Sequence, residues 1–222
     1  MEFVTTGDGS KTLYHEAIGE HYHSKHGALQ ESKHVFVQSG LAYFLENNET
    51  NHCAILEIGF GTGLNFLMTS SFVADKGVTV DYCGVEAYPL DSAIALSTGY
   101  DAFVSPEIWE SFKAQYSPAQ EKSVDFNDQV KLEIAVHKIM DFQAEKGFDL
   151  IYFDAFAAVH QPEMWTEETL AHVCKFLKPG GVFVTYAITG QLKRTMKALG
   201  FAIEKAPGAP GKREMLRAVK LS

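Results

Sequence analysis

Glu57-Ile-Gly-Phe-Gly-Thr-Gly63 constrains this chain more than any other segment. The apolar run Cys53-Ala-Ile-Leu56 before it reads as a short buried strand. Leu64-Asn-Phe-Leu-Met68 after it reads as the first turns of a helix. Three glycines in the connecting turn, Gly59, Gly61 and Gly63, let the backbone come close to a ligand because none carries a Cβ. The helix start behind them offers unpaired N–H groups and partial positive charge. A strand, a glycine turn and a helix in that order predict an α/β fold with a nucleotide-like ligand at the turn.

Two ligand classes compete for such a turn. A dinucleotide site wants G-x-G-x-x-G, and here the third glycine comes two residues after the second, with Leu64 following it. Glu57 also precedes the loop, and a carboxylate there repels a pyrophosphate. It suits a ligand with a positive end, such as the amino group of S-adenosylmethionine. E-x-G-x-G-x-G resembles the nucleotide-binding loop of class I methyltransferases. A second acid fits the same reading. Val78 to Val85 reads as the next strand, and Glu86 ends it, 23 residues past Gly63. That is near the roughly 20 residues expected of a carboxylate that accepts both ribose hydroxyls.

The remaining chain alternates strand and helix signals. Lys33 to Leu45 reads as a helix, Ala54 to Ile58 as a strand and Leu90 to Thr98 as a helix. Residues 101–127 read as a helical insertion with its helix over Pro106 to Gln115. Val130 to Val136 and Phe148 to Phe153 read as strands, the latter ending at Asp154. Glu167 to Leu177 has helical spacing and stops at Lys178-Pro-Gly-Gly181, read as a breaker before a strand from Gly181 to Tyr186. Gln191 to Leu199 is a helix closed by Gly200, and Phe201–Lys205 with Met215–Lys220 form a final antiparallel pair. The expected architecture is a mostly parallel sheet with helices on both faces and an antiparallel edge hairpin. One domain is expected over 1–222, with residues 1–33 an irregular arm packed over the sheet.

Composition narrows the class. With 46% hydrophobic and 21% charged residues and no apolar run near 18 residues, a membrane span is excluded. Met1 to Gly7 lacks the regions of a signal peptide, and Cys53, Cys83 and Cys174 fit buried free thiols, so a cytoplasmic setting is expected. His15, His21, His23 and His26 lie close together without a cysteine or carboxylate at a metal-type spacing, so no metal is expected. Net charge is −9, yet residues 191–222 hold eight basic residues and two acids. That asymmetry marks either a solvated basic face or an anion-binding surface.

Asp154 stands where ligands of open α/β sheets lie, beyond the carboxyl end of a strand. A carboxylate there can orient an amine, stabilise its charge or accept its proton, or it can simply cap a helix. Tyr22 and His23 are candidates for the mouth of the pocket, and Trp165 can be read simply as a core aromatic.

With these pieces assembled, the chain resembles the methyltransferase domain of the MnmC family of bifunctional tRNA-modifying enzymes and its standalone MnmD counterparts. The resemblance rests on Tyr22-His-Ser24, Gly27 with Glu31-Ser32, Phe36-Val37, Gly40-Leu41, and Glu57 through Leu67. It continues in Asp154-Ala-Phe-Ala157, Pro162 to Thr166, Lys178-Pro-Gly-Gly181 and Gly211-Lys-Arg-Glu-Met215. It implies S-adenosylmethionine as methyl donor and tRNA as partner. The implied reaction is N-methylation of 5-aminomethyl-2-thiouridine at the wobble position. Carried over residue by residue, it makes Asp154 catalytic. Glu57, Gly59, Phe60, Gly61, Gly63, Asn65 and Glu86 bind the cofactor, and Tyr22, His23, Phe156, Lys212 and Arg213 bind substrate. The family's Gly-Asp after the third core strand reads His137-Lys138 here, so Asp141 is the substitute candidate for the adenine. Ala158-Val-His160 replaces the usual Ala-Pro. No flavin is expected, because the chain ends seven residues after Met215, before any oxidase domain. Competing readings are a small-molecule amine methyltransferase, a silent nucleotide- or RNA-binding module and, least favoured by Glu57 and Leu64, a dehydrogenase.

Overall fold

A computed structural model describes residues 2–221. The chain opens with a small antiparallel meander of β1 (Glu2–Thr5), β2 (Lys11–His15) and β3 (Glu20–His21). A helix then runs through α1 (Ala28–Glu31), a π-wound stretch Ser32–Ala42 and α2 (Tyr43–Asn47). The alternating part follows: β4 (His52–Ile58), α3 (Leu64–Val73), β5 (Thr79–Val85), the single turn α4 (Ser92–Ala95), α5 (Pro106–Gln115), β6 (Val124–Asp125) and β7 (Val130–Ala135). The chain continues with β8 (Phe148–Phe153), α6 (Glu167–Cys174), β9 (Leu177–Thr185), α7 (Gly190–Ala198), β10 (Phe201–Pro207) and β11 (Glu214–Lys220).

Eight strands form the main sheet in the order β10-β11-β9-β8-β4-β5-β7-β6. The five central strands are parallel, and β6, β10 and β11 run antiparallel to their neighbours. Side chains alternate between faces along each strand. Cys53 and Ile55 therefore join Leu150 and Tyr152 under α3, α5 and the long helix, while Leu56 and Ile58 join Ile151 and Phe153 under α6 and α7. From β4 the chain builds outward through β5 and β7, then returns to β8 on the other side. Such a reversal opens a crevice beyond the strand ends, here between β4 and β8.

Several expectations need correction. The N-terminal stretch is not irregular. Its meander is held by Asp8, whose carboxylate accepts from Thr6, Ser10 and the Gln30 amide, contacts that leave no periodic hydrophobic signal. The helix predicted over Leu90 to Thr98 shrinks to Ser92–Ala95, with Asp91 as its N-cap and Gly99 beyond it at φ +75°. Lys178-Pro-Gly-Gly181 does not separate helix from strand. It lies inside β9 as an irregularity in the pairing with β8, with Gly180 at φ +76°. A bulge there tolerates the proline and glycines that a regular ladder would not. By contrast α5 coincides with the predicted Pro106–Gln115, started by the Ser105 hydroxyl, which accepts from the Ile108 amide.

Gly84 on β5 lies against the Phe60 ring, and a Cβ at Gly84 would collide with it. Gly84→Ala is expected to cost about 1–3 kcal/mol through overpacking. A lower urea midpoint at unchanged slope, partly restored by a second change Phe60→Leu, is the expected readout.

Candidate active site

The turn after β4 brings two loops into contact. Gly59 has φ +88°, and a Cβ on it would lie 2.6 Å from the Asp154 carbonyl oxygen. Only glycine satisfies both demands. The loop after β8 is pinned at four successive residues. The Asp154 amide donates to the Ile58 carbonyl at 2.9 Å, the Tyr186 hydroxyl donates to the Ala155 carbonyl at 2.9 Å, the Trp165 indole donates to the Phe156 carbonyl at 2.7 Å, and the Ala157 amide donates to Glu20 at 2.7 Å. Trp165 packs on Phe153 and Tyr186 as a core aromatic would, and its indole also fixes the pocket loop.

Asp154 sits at the floor where two adjoining cavities meet, with its side chain 5% exposed. Its Oδ2 accepts from Asn65 Nδ2 at 2.8 Å, and the same Asn65 nitrogen donates to Glu57 Oε1 at 2.8 Å. The other Glu57 oxygen accepts from the Tyr82 hydroxyl at 2.8 Å. Burial pushes the Asp154 carboxyl up to about 8, reinforced by Glu31 and opposed by the Asn65 bond and by Lys212. Burial also pushes Glu57 well above the usual carboxylate range, with the neighbouring Asp154 charge adding to it. His23 approaches from the other side, its Nδ1 3.8 Å from Asp154 Oδ2 and its Nε2 2.9 Å from Thr62 Oγ1. Burial lowers His23 to about 4, so at neutral pH the imidazole is uncharged and its contact with Asp154 is not an ion pair.

The first cavity is lined by Ile58, Gly59, Gly61, Val85, Glu86, His137 and Ile139 around a floor of Asp154 and Phe156. Glu86 ends β5 on this wall, fixed by the Gly61 amide at 3.0 Å and the Tyr88 amide at 3.1 Å. An apolar slot with one carboxylate at the second strand's end fits an adenosine moiety. Glu86 would take the ribose hydroxyls, and the Gly59–Gly61 backbone would approach the sulfonium end. The second cavity is lined by Glu20, Tyr22, Glu31, Phe156, Tyr186 and Lys212. Tyr22 and Phe156 meet edge to face, with centroids 5.1 Å apart, and separate the two cavities.

The candidate residues therefore divide. Gly59, Gly61, Glu86, Asp154, Tyr22, His23 and Phe156 converge on the first cavity, and Lys212 lines the second. Glu57 does not reach a wall: it is fully buried and both its oxygens are occupied behind the loop. Asn65 is likewise enclosed, and its amide bonds Asp154 from behind. Phe60 is a core residue packed on Gly84, Phe66 and Tyr116, and Gly63 caps α3 against Phe112. Asp141 is exposed and away from the slot, since the turn Ile139–Asp141 turns Ile139 inward and Asp141 out. Lys212 lines the second cavity with its ammonium bonded to Glu31 at 2.6 Å and 4.0 Å above the Tyr186 ring. Arg213 is exposed, with no side-chain partner among the described residues.

Sequence reasoning missed Glu20, Ile139 and Tyr186 as site residues. Tyr186 was findable, because it follows a core strand at its carboxyl end. Glu20 was not, because its contact with Ala157 bridges 137 residues. Among the described residues no three His, Cys, Asp or Glu side chains group to hold a metal, and no helix is long and apolar enough to cross a membrane. Cys53, Cys83 and Cys174 are free and buried.

This sheet order, with a glycine turn after the central strand and an acid closing the next, defines the methyltransferase class that uses S-adenosylmethionine. Residues 105–221 match the model of a family described as S-adenosyl-L-methionine-dependent methyltransferase, and the chain belongs to that family. It is 30% identical over 88% of its length to the tRNA 5-methylaminomethyl-2-thiouridine biosynthesis bifunctional protein MnmC of Pseudomonas putida (strain GB-1). It is 32% identical over 97% of its length to the protein of the same name from Magnetococcus marinus. The chain spans only 31% and 34% of those relatives. The crystal structure of MNMC2 from Aquifex aeolicus superposes with a TM-score of 0.78 at 23% identity, covering 98% of this chain and 69% of that one, a likeness of fold.

Replacing Asp154 by asparagine is expected to stabilise the protein. Its folded-state value near 8 exceeds the unfolded value of 3.8, so the folded state binds more protons between those limits and stability falls as pH rises through them. The gain from Asp154→Asn should therefore grow from about pH 4 to about pH 8 and level off above. A gain on the order of 1–2 kcal/mol, about 2–8 °C in Tm, is expected at pH 8. Thermal melts of both proteins across that range test it, and a gain that shrinks with rising pH would contradict the assignment.

Proposed function

We propose that this enzyme methylates the exocyclic amine of 5-aminomethyl-2-thiouridine at the tRNA wobble position, giving 5-methylaminomethyl-2-thiouridine. Asp154 carries the reading: a buried carboxyl with a value near 8 lies where the cofactor slot opens into an aromatic-walled second cavity. The relatives' names supply the substrate class.

S-adenosylmethionine supplies a methyl group on a sulfonium, already a strong electrophile. The chain's own task is to present a nitrogen lone pair in line and exclude water. An alkyl amine has a pKa of roughly 10, like lysine, and enters as an ammonium. An ammonium beside Asp154 favours the ionised carboxylate, which accepts its N–H bonds and fixes its direction. Loss of one proton frees the lone pair, and Asp154, raised towards neutrality, is a matched acceptor for it. The N–C bond forms as the methyl–sulfur bond breaks, the sulfonium leaves as a neutral thioether, and the product is a secondary ammonium that can release its proton to solvent. Tyr22, Phe156 and Tyr186 give the cavity flat apolar walls suited to a base. The buried free thiols suit a reducing, cytoplasmic setting.

Nucleoside mass spectrometry of tRNA bearing the unmethylated aminomethyl group, incubated with enzyme and labelled donor, tests the reading. Label is expected on 5-methylaminomethyl-2-thiouridine alone. Asp154→Asn should lower turnover by at least about 100-fold while changing donor affinity, read by calorimetry, by less than about threefold. A free small-molecule amine that takes label as readily as tRNA would replace the tRNA assignment.

A further inference from the structure

The eight basic residues between positions 191 and 222 do not share one job. Three are committed within the fold. Lys212 bonds Glu31, Arg217 bonds Glu204 and lies over Tyr43, and the Lys220 ammonium donates to the Cys174 and Leu177 carbonyls at the end of α6. Four others, Lys193, Arg194, Lys197 and Lys205, line a single surface groove with Gly190 and Ile203. Lys205 is exposed and reaches one acid, Glu214, at 3.9 Å. Among the described residues Arg194 bonds the neutral Gln191 and no acid.

Of the α7 cations only Lys197, in the last turn, is favoured by the helix dipole. Lys193 and Lys197 are four residues apart on one helix, where like charges cost a few tenths of a kcal/mol. Lys193 and Arg194 lie near the amino end of α7, where cations oppose the helix dipole and no acid offsets them in the first turn. The rest of the chain is strongly acidic, so the groove is also a local exception in charge.

Its position relates it to the active site. Lys205 is level with Leu216, which is level with Thr185, so Lys205 stands two strands across from the carboxyl end of β9. At the usual strand spacing that is about 10 Å. Tyr186, the next residue after Thr185, holds the Ala155 carbonyl beside Asp154. Lys205 shares the face of Leu216, the one covered by α6 and α7, so the groove flanks the active-site edge of the sheet from that face.

We infer that the groove between α7 and β10 is a docking surface for the sugar–phosphate backbone of the RNA whose base enters the second cavity. The inference rests on the tRNA reading given above. Contacts of this kind give affinity and register without reading sequence. Each phosphate neutralised makes binding more salt-dependent, by about 0.7 to 0.9 in the slope of log K against log salt.

The test compares the full chain with the triple variant Lys193→Gln, Arg194→Gln, Lys197→Gln. Binding to tRNA is read by fluorescence anisotropy between 50 and 300 mM potassium chloride, and methyl transfer by labelled donor. The variant is expected to melt no lower than wild type, to bind the donor unchanged, and to keep its turnover at saturating tRNA. Its KM for tRNA should rise about tenfold or more at 150 mM salt, and its salt slope should fall by about 2 to 3. An unchanged slope and KM in the variant, with wild-type enzyme methylating tRNA, would overturn the groove and leave the function standing. Wild-type enzyme that binds tRNA but transfers no label to it would overturn the function. The slopes would then still decide whether the groove contacts phosphate.

Discussion

One side-chain amide ties the centre of this molecule together. Asn65, at the start of α3, donates to Glu57 from β4 and to Asp154 from the end of β8, each at 2.8 Å. The crevice between those strands exists because the chain reverses its direction of sheet building there, and this bridge fixes its width. The glycine turn depends on the same closeness, since Gly59 lies against the Asp154 carbonyl. The arrangement is costly. Two carboxyls share a buried space, and Asn65 Oδ1 has no hydrogen-bond partner among the described residues. Buried polar groups left unsatisfied each cost about 1–3 kcal/mol, and a coupled carboxyl pair adds its own desolvation. Strain of this kind concentrates where chemistry needs a perturbed group rather than where a fold needs rigidity.

Neutrality is what that cost secures. In the proposed reaction a free aspartate near 4 would be a poor proton acceptor for an amine, whereas a carboxyl near 8 is matched to neutral solution. His23, the obvious base by residue type, is pushed the other way to about 4 and locked to Thr62, so it serves as an uncharged wall. Environment thus reverses the roles that the unperturbed side chains suggest. The four backbone pins on residues 154–157 hold Asp154 in place before any ligand arrives, which moves the ordering cost from binding to folding.

What could be read from the sequence follows a physical boundary. Segments whose signal is local were legible: the glycine turn, the strands ending at Glu86 and Asp154, α5 with its Ser105 cap, and the closing β10–β11 pair. Features fixed by distant partners were not. Glu57 looked like a ligand residue because it precedes the glycines. Strand alternation instead directs it under α3, where Tyr82 and Asn65 occupy it. Phe60, flanked by ligand-facing glycines, turns inward to fill the space over Gly84. Asp141 was chosen for its charge and its nearness to the third core strand, but one turn of backbone rotation puts Ile139 in the slot instead. The N-terminal meander was hidden because its order comes from turn carboxylates and cross-strand bonds in a stretch with no repeating apolar face.

Charge shows the same boundary at larger scale. Counting lysines and arginines located an excess of eight cations over two acids in the last 32 residues, yet counting could not separate their uses. The cation nearest the reaction, Lys212, is neutralised by Glu31, from the helix that follows the meander, and held over Tyr186. It lowers Asp154 while Glu31 raises it, so the pair tunes the carboxyl instead of advertising a surface. Lys193, Arg194 and Lys197 on α7, like Arg213, bond no acid among the described residues. A long-range contact sorts one from the other: Lys212, with a buried carboxylate partner, belongs to the site's electrostatics, and the α7 cations, without one, are those the proposed phosphate contact would use.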